Sequence, residues 1–348
     1  MARVLVIRLS ALGDVAMLAP VLYSVAKHHP EDEFLLLTKS PLLPLFEYHP
    51  ANVILLPVFT KTEHKGLRGL WRLIRHLSSQ KIDRVADAHN VLRSVQIRFF
   101  FYLTGKKIAV INKGKKEKKA LVRKHNKVFV PLQTSIERYI AVFYSLGYQF
   151  PLDFTSVFEY GGRDFSLIEP VVGKRSGTWI GIAPFAKHRG KIYPLDKMGE
   201  VIRLLAGRKD CTVFLFGGKS EESHLEAWAN QYENVRSVAG HFSFSSELIL
   251  MSYLKVMLTM DSGNMHLASL VGTPVVSVWG ATHPYAGFLG YGQDPSAVVD
   301  VEDLPCRPCS VFGNKACYRK DYACMNGISP AQIVEKIHSV LSDKKIAQ

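Results

Sequence analysis

The sequence predicts an α/β protein of two doubly wound, parallel-sheet domains in one chain. Three observations predict it. Short apolar runs alternate with amphipathic stretches, the β-α-β rhythm of a parallel sheet covered by helices. The rhythm stops in a glycine- and proline-bearing stretch at 151–176 and then restarts. The length of 348 residues suits two domains, each large enough to bury its own core.

The elements follow in order. Val4–Leu9 is apolar but for Arg8 and shows no alternation over Val4–Ile7, as a strand buried on both faces would be. A turn at Ser10–Gly13 leads into a helix expected over about 14–28. Strands are expected at Phe34–Thr38, Val53–Leu56 and Asp83–Ala88, with helices near Leu67–Leu77, Val91–Leu103 and Ser135–Leu146. The domain boundaries follow as 1–155, a linker at 156–176, and 177–348. In the second half, strands are expected at Trp179–Ala183, Thr212–Phe216, Val256–Met260 and Pro274–Val278. Helices are expected at Pro194–Ala206, Glu221–Gln231, Asn264–Leu270 and from Pro330 to about Leu341. Ligands of such sheets bind beyond the carboxyl ends of the strands, which directs attention to those loops and to an interdomain cleft.

Composition narrows the function. An apolar fraction of 47% with 21% charged residues excludes disorder as the main state. Val15–Ala26, a strongly apolar stretch near the start, is too short to cross a bilayer and contains Pro20. With no apolar leader at the start, a cytoplasmic protein is expected. The net charge is +14, and +9 of it falls between Lys106 and Lys127, where ten Lys and Arg face only Glu117. A second basic group, Lys61, Lys65, Arg68, Arg72 and Arg75, lies upstream. Such runs attract nucleic acid, an anionic membrane or an anionic substrate, or they are simply solvated. The longer run holds no aromatic residue on which bases could stack.

Two loops carry the chemistry. In Ser10-Ala-Leu-Gly-Asp14, Gly13 permits a sharp turn and Asp14 stands at a strand's carboxyl end. A carboxylate there is either a helix cap or a general base facing a ligand. One glycine does not make G-x-G-x-x-G, so a nicotinamide enzyme loses its main support. In Asp261-Ser-Gly-Asn-Met-His266, a strand runs into a helix start whose free N–H groups suit a diphosphate.

Asp261, Ser262, Gly263, Asn264 and His266 stand in a pattern that strongly resembles the D-[S/T]-G-x-x-H motif of glycosyltransferase family 9, the lipopolysaccharide core heptosyltransferases. Arg8-Leu-Ser-Ala-Leu-Gly-Asp14 resembles the family's first strand and loop, Lys191-Ile-Tyr-Pro194 its K-x-W-P segment, and Gly217-Gly-Lys-Ser-Glu221 its glycine turn. The resemblance implies a GT-B fold and an inverting transfer at the cytoplasmic face of the inner membrane. It implies a nucleotide-diphosphate donor, typically ADP-L-glycero-D-manno-heptose, and a lipid A–Kdo type inner-core acceptor. It makes Asp14 the base on the acceptor hydroxyl and Lys191 the cation that offsets charge on the leaving diphosphate. Glu221 and the Asp261–His266 turn would hold the donor. Lys113, Lys115, Lys116, Lys118 and Lys119 would dock the acceptor and an anionic membrane surface, with no nucleic acid partner.

No clear D-x-D metal motif is present, Asp300-Val-Glu302 being the nearest, so transfer without metal or cofactor is expected. Tyr193 stands where the family commonly has Trp, and Phe185 where a small turn residue is expected, which bears on the sugar. Cys306, Cys309, Cys317 and Cys324 form C-x2-C-x7-C-x6-C, compatible with structural zinc, with packed thiols or with redox-labile pairs. Cys211 is expected in the core. Transfer of another nucleotide-linked sugar, donor isomerisation or hydrolysis without an acceptor, and a basic nucleic-acid-binding Rossmann-like protein are the alternatives.

Overall fold

The structure is a computed structural model and describes residues 1–343. The chain forms two compact units, one of 1–113 with 134–162 and one of 114–133 with the chain from Arg163 onward.

In the first unit, β1 (Arg3–Ile7), α1 (Leu12–Ala16), α2 (Ala19–His28), β2 (Glu33–Lys39), β3 (Val53–Val58), α3 (Gly66–Ser78), β4 (Arg84–Asp87), α4 (Leu92–Leu103) and β5 (Lys107–Val110) follow one another. All strands run parallel, in the order β3-β2-β1-β4-β5. Val4–Ile7 and Phe34–Leu37 are wholly buried, because helices cover both faces. On one face, Leu5, Ile7, Leu35 and Leu37 pack with Leu70, Leu73, Ile74 and Leu77 of α3 and with Ile97 and Phe101 of α4. After α5 (Lys115–Leu121), which groups with the other unit, α6 (Ser135–Leu146) returns to cover the opposite face, where Phe143 meets Phe34.

The single helix expected over 14–28 is two. Pro20 lies in the first turn of α2 and has no N–H to continue the ladder, so the chain breaks at Met17–Leu18 and restarts. Strand β5 was hidden within the basic run. It is an edge strand, with Lys107 and Val110 exposed, and an edge tolerates charge that a central strand would not.

The second unit holds α7 (Glu169–Val172), β6 (Thr178–Ala183), α8 (Leu195–Ala206), β7 (Cys211–Leu215), α9 (Glu222–Ala229), β8 (Val235–Ser237) and α10 (Phe244–Tyr253). It continues with β9 (Val256–Met260), α11 (Gly263–Leu270), β10 (Val275–Trp279), β11 (Val298–Asp300), α12 (Ala323–Asn326) and α13 (Pro330–Asp343). Its sheet is also parallel, ordered β11-β10-β9-β6-β7-β8. Ile180, Ile182, Val213, Leu215, Leu258, Met260, Val276 and Val278 form the core with α8 and α13. Cys211 lies in it, as expected, its thiol donating to the Leu205 carbonyl at 3.3 Å.

The segment 114–133, counted with the first domain on sequence, is held by the second unit. The Leu132 N–H donates to the Tyr285 carbonyl at 2.9 Å. Phe129 packs on His283 and Tyr285, each with 4.9 Å between centroids, and Lys127 Nζ donates to the carbonyls of Pro305 and Arg307. Periodicity could not show this, because the contacts are distant in sequence.

Candidate active site

Both sheets reverse their winding once, between β1 and β4 and between β6 and β9. A crevice opens at such a switch point, and ligands of doubly wound sheets bind there. The candidate residues fall largely on the loops that leave these four strands.

In the first unit, Asp14 follows β1 in the first turn of α1. Its Oδ2 lies 2.6 Å from the Arg8 guanidinium and accepts the Ala11 N–H at 3.3 Å, so it braces the helix start as a cap partner would. The Asp14 side chain is still 33% exposed, within reach of a ligand, whereas Arg8 is 7% exposed. Arg8 is fixed in turn by donating to the Ala88 carbonyl at 2.8 Å and by lying over the Tyr139 ring. The Tyr139 hydroxyl donates to the Asp14 carbonyl at 3.1 Å.

From the loop after β4, His89 Nδ1 accepts the Leu9 N–H at 3.3 Å, which leaves the ring proton on Nε2. Burial, then Arg8 and Lys113, hold its pKa at about 4, so the ring is neutral. The sequence pointed to Asp14 alone. Arg8 and Tyr139 hold it in place and His89 fixes the chain at Leu9 before it, and only their convergence in space shows this.

In the second unit, Lys191 lies in the loop between β6 and α8, and Asp261 begins the loop after β9. Their side chains meet at 2.9 Å, with Lys191 16% and Asp261 5% exposed. Two residues that sequence assigned to separate tasks are therefore one ion pair at the switch point. A missed residue shapes it. Gly313 has φ +73°, and a Cβ there would come within 2.4 Å of Lys191 Cγ. The backbone of 313 passes where any side chain would displace the lysine.

Ser262 caps α11 through its backbone, and Gly263, Asn264 and Met265 open that helix. Ser262 Oγ and, beyond β10, Thr282 Oγ1 are buried with no hydrogen-bond partner among the described residues. A polar atom so placed is costly unless a ligand completes it. His266 is buried one turn into the helix. Glu221 lies after β7, where its Oε2 accepts the Gly218 N–H at 2.7 Å. Gly217 makes room for that carboxylate, since a Cβ there would stand 2.9 Å from it.

Two departures from the family pattern are located. Tyr193 is fully buried and donates to the Ile328 carbonyl at 2.9 Å, so it is a core residue. Phe185 stacks on Trp228 at 6.3 Å and meets the His224 ring edge-on, a role for a large side chain in that turn.

Among the basic residues, Lys113 Nζ donates to the Asn90 carbonyl at 3.1 Å, and Lys118 Nζ lies 4.2 Å from the Phe288 ring centroid. Lys115, Lys116 and Lys119 of α5 are exposed. Cys306, Cys309, Cys317 and Cys324 are free thiols lining one cavity of about 10 Å³. Burial pushes the Cys324 thiol up to about 11 and raises Cys309, which Cys306 and Cys317 also raise. Among the described residues, no three His, Cys, Asp or Glu side chains are arranged to hold a metal ion. No helix among them is long and apolar enough to cross a membrane.

Known proteins share this sequence pattern and fold. Over 323 residues the chain is 25% identical to lipopolysaccharide heptosyltransferase 1 of Pseudomonas aeruginosa, spanning 88% of this chain and 86% of that protein. The solved structure of E. coli ADP-heptose lps heptosyltransferase II superposes with a TM-score of 0.72 at 19% identity, over 99% of both chains. E. coli heptosyltransferase WaaC with ADP-2-deoxy-2-fluoro heptose gives 0.67 at 19% identity, over 96% of this chain and 99% of that one. The fold is therefore GT-B, and the protein is a glycosyltransferase. It belongs to glycosyltransferase family 9 (heptosyltransferase), whose pattern matches residues 70–316.

Proposed function

We propose that the protein transfers heptose, with inversion, from ADP-heptose to a lipopolysaccharide inner-core acceptor of the lipid A–Kdo type. The observation that carries the reading is the Lys191–Asp261 pair beside the Ser262–Asn264 helix start. It sets a cation and free backbone N–H groups at one switch point, the arrangement a diphosphate requires.

The chemistry divides between two groups. The acceptor hydroxyl oxygen attacks the anomeric carbon, and Asp14 takes its proton. The bond from that carbon to the diphosphate oxygen breaks, and its electron pair leaves on ADP. Lys191 offsets the charge that develops there, in a setting where burial strengthens it. Asp261 holds the ammonium in place until the diphosphate arrives. Glu221 binds the donor ribose, and Ser262, Gly263, Asn264 and His266 receive phosphates and sugar. The reaction needs no metal, because Lys191 and the start of α11 supply the neutralisation.

The exposed ammoniums of Lys115, Lys116 and Lys119, with Lys113 and Lys118, dock the anionic acceptor at the inner membrane's cytoplasmic surface. A thermal-shift screen of nucleotide sugars tests the donor. A ligand at about 100 times its Kd adds about 2.7 kcal/mol to the folded state. A selective response to ADP-heptose, followed by acceptor-dependent ADP release and an inverted product anomer, is the expected outcome. A response to another nucleotide sugar, or donor turnover without acceptor, would overturn it.

A further inference from the structure

Helix α3 is apolar on two sides. Leu70, Leu73, Ile74 and Leu77 enter the core, as an amphipathic helix requires. The outward side should then be polar, yet Leu67 is 79% and Trp71 63% exposed. Its neighbour α4 covers the same face of the sheet and repeats the anomaly, with Phe99 at 58%, Tyr102 at 67% and Leu103 at 68%. The two outer surfaces are joined where Trp71 meets Phe100 edge-on at 6.5 Å.

Charge separates this surface from an ordinary protein interface. On α3 each exposed apolar side chain is followed by an arginine, Leu67 by Arg68 and Trp71 by Arg72, and Arg75 and His76 stand exposed one turn on. Glu63 is the only acid between Lys61 and Ser79. Arg, Trp and Tyr are enriched in interfaces between proteins too, so what favours a lipid occupant is the one-sided charge: Lys61, Lys65, Arg68, Arg72 and Arg75 against one acid, among Trp and Leu, is the composition that seats a helix on an anionic bilayer surface. Trp and Tyr favour the headgroup level because each pairs an apolar body with a polar tip.

We propose that the outer face of α3 and α4 is the membrane-docking surface of this protein, with an anionic phospholipid leaflet as its occupant. Leu67, Trp71, Phe99 and Tyr102 enter the headgroup–acyl boundary, and Arg68, Arg72 and Arg75 meet lipid phosphates. This deepens the membrane reading above by naming a face apart from the lysine segment. It is tested with neither donor nor acceptor present, so its failure and that of the transfer reading are separate.

The test uses the full chain and vesicles of phosphatidylcholine with or without phosphatidylglycerol. Three variants are compared, Leu67→Ser/Trp71→Ser/Phe99→Ser/Tyr102→Ser, Arg68→Glu/Arg72→Glu/Arg75→Glu, and Trp71→Phe, each checked for native thermal unfolding. Co-sedimentation with phosphatidylglycerol vesicles should fall about tenfold or more in both multiple variants. Brominated lipid should quench the tryptophan fluorescence of the native chain far more than that of Trp71→Phe, since Trp179 and Trp279 are buried and Trp228, half-buried against Phe185 and His224, belongs to the second unit. Undiminished binding by both multiple variants, or equal quenching in Trp71→Phe, would overturn the proposal. So would native chains that ignore vesicles and form a dimer which the serine variant loses, for the face would then join two copies.

Discussion

Asp14 does two things at once, and that decides how it should be tested. It faces solvent in part, yet its carboxylate is the counter-charge of the nearly buried Arg8. Removing it entirely would leave that guanidinium without its anion, a loss of stability that would obscure any loss of chemistry. Asp14→Asn keeps an acceptor for Arg8 and removes the base. The neutral amide does not replace Arg8's anion, so the unfolding temperature should drop somewhat, while kcat measured on the folded variant should fall by about 10²–10⁴. Wild-type turnover would end the assignment. Gly313 offers a matched comparison. Gly313→Ala forces a Cβ against Lys191, whereas Gly272 has the same φ of +73° with nothing within 4 Å of a Cβ. Both alanines strain the backbone alike. Gly313→Ala alone should lower turnover and donor affinity, measured by initial rates and calorimetry.

At the scale of elements, the helix termini show what local sequence controls. Thr134 caps α6, accepting the Glu137 N–H at 3.1 Å while the Glu137 carboxylate accepts the Thr134 N–H at 2.6 Å. Thr134→Ala should cost about 1 kcal/mol in urea unfolding and leave transfer kinetics alone. The helix that this pair opens was legible as Ser135–Leu146, as were the apolar runs of β1, β2, β6, β9 and β10. What escaped notice had weak local patterns. Strand β8 has only three residues, and β5 is an edge among lysines. Helix α10 buries the consecutive Leu248, Ile249, Leu250 and Met251, so its periodicity is flat.

The whole molecule carries a pH dependence to which an imidazole held neutral in each unit contributes. His89 and His283 are both held at about 4, the first mainly by burial and Arg8, the second by burial and Arg307. Their unfolded value is about 6.5, so the unfolded chain takes up protons first as the solution is acidified. Stability should fall between about pH 6.5 and 4. Glu247 works on the other side. Burial raises it to about 7, so the unfolded chain loses its proton first and this group weakens the fold as pH rises from about 4.5 to 7. Denaturant unfolding of His89→Gln should show a shallower acid limb than the native chain. A limb of unchanged slope would show that His89 is not buried neutral.

The sequence by itself determined the fold class and the segments that matter. Short apolar runs alternating with amphipathic stretches specify the buried parallel strands, and Asp261-Ser-Gly-x-x-His266 fixes a strand-to-helix turn through short-range geometry. It also supplied Asp14, Lys191 and Glu221 as isolated residues. Only the tertiary structure decided what each of them touches. It paired Lys191 with Asp261 by making β6 and β9 neighbours, fitted Gly313 behind the lysine, set Arg8 against Asp14, and moved the lysine segment to the second unit. Strand adjacency arises from sheet order rather than chain order, so charges far apart in sequence meet only once the winding is complete.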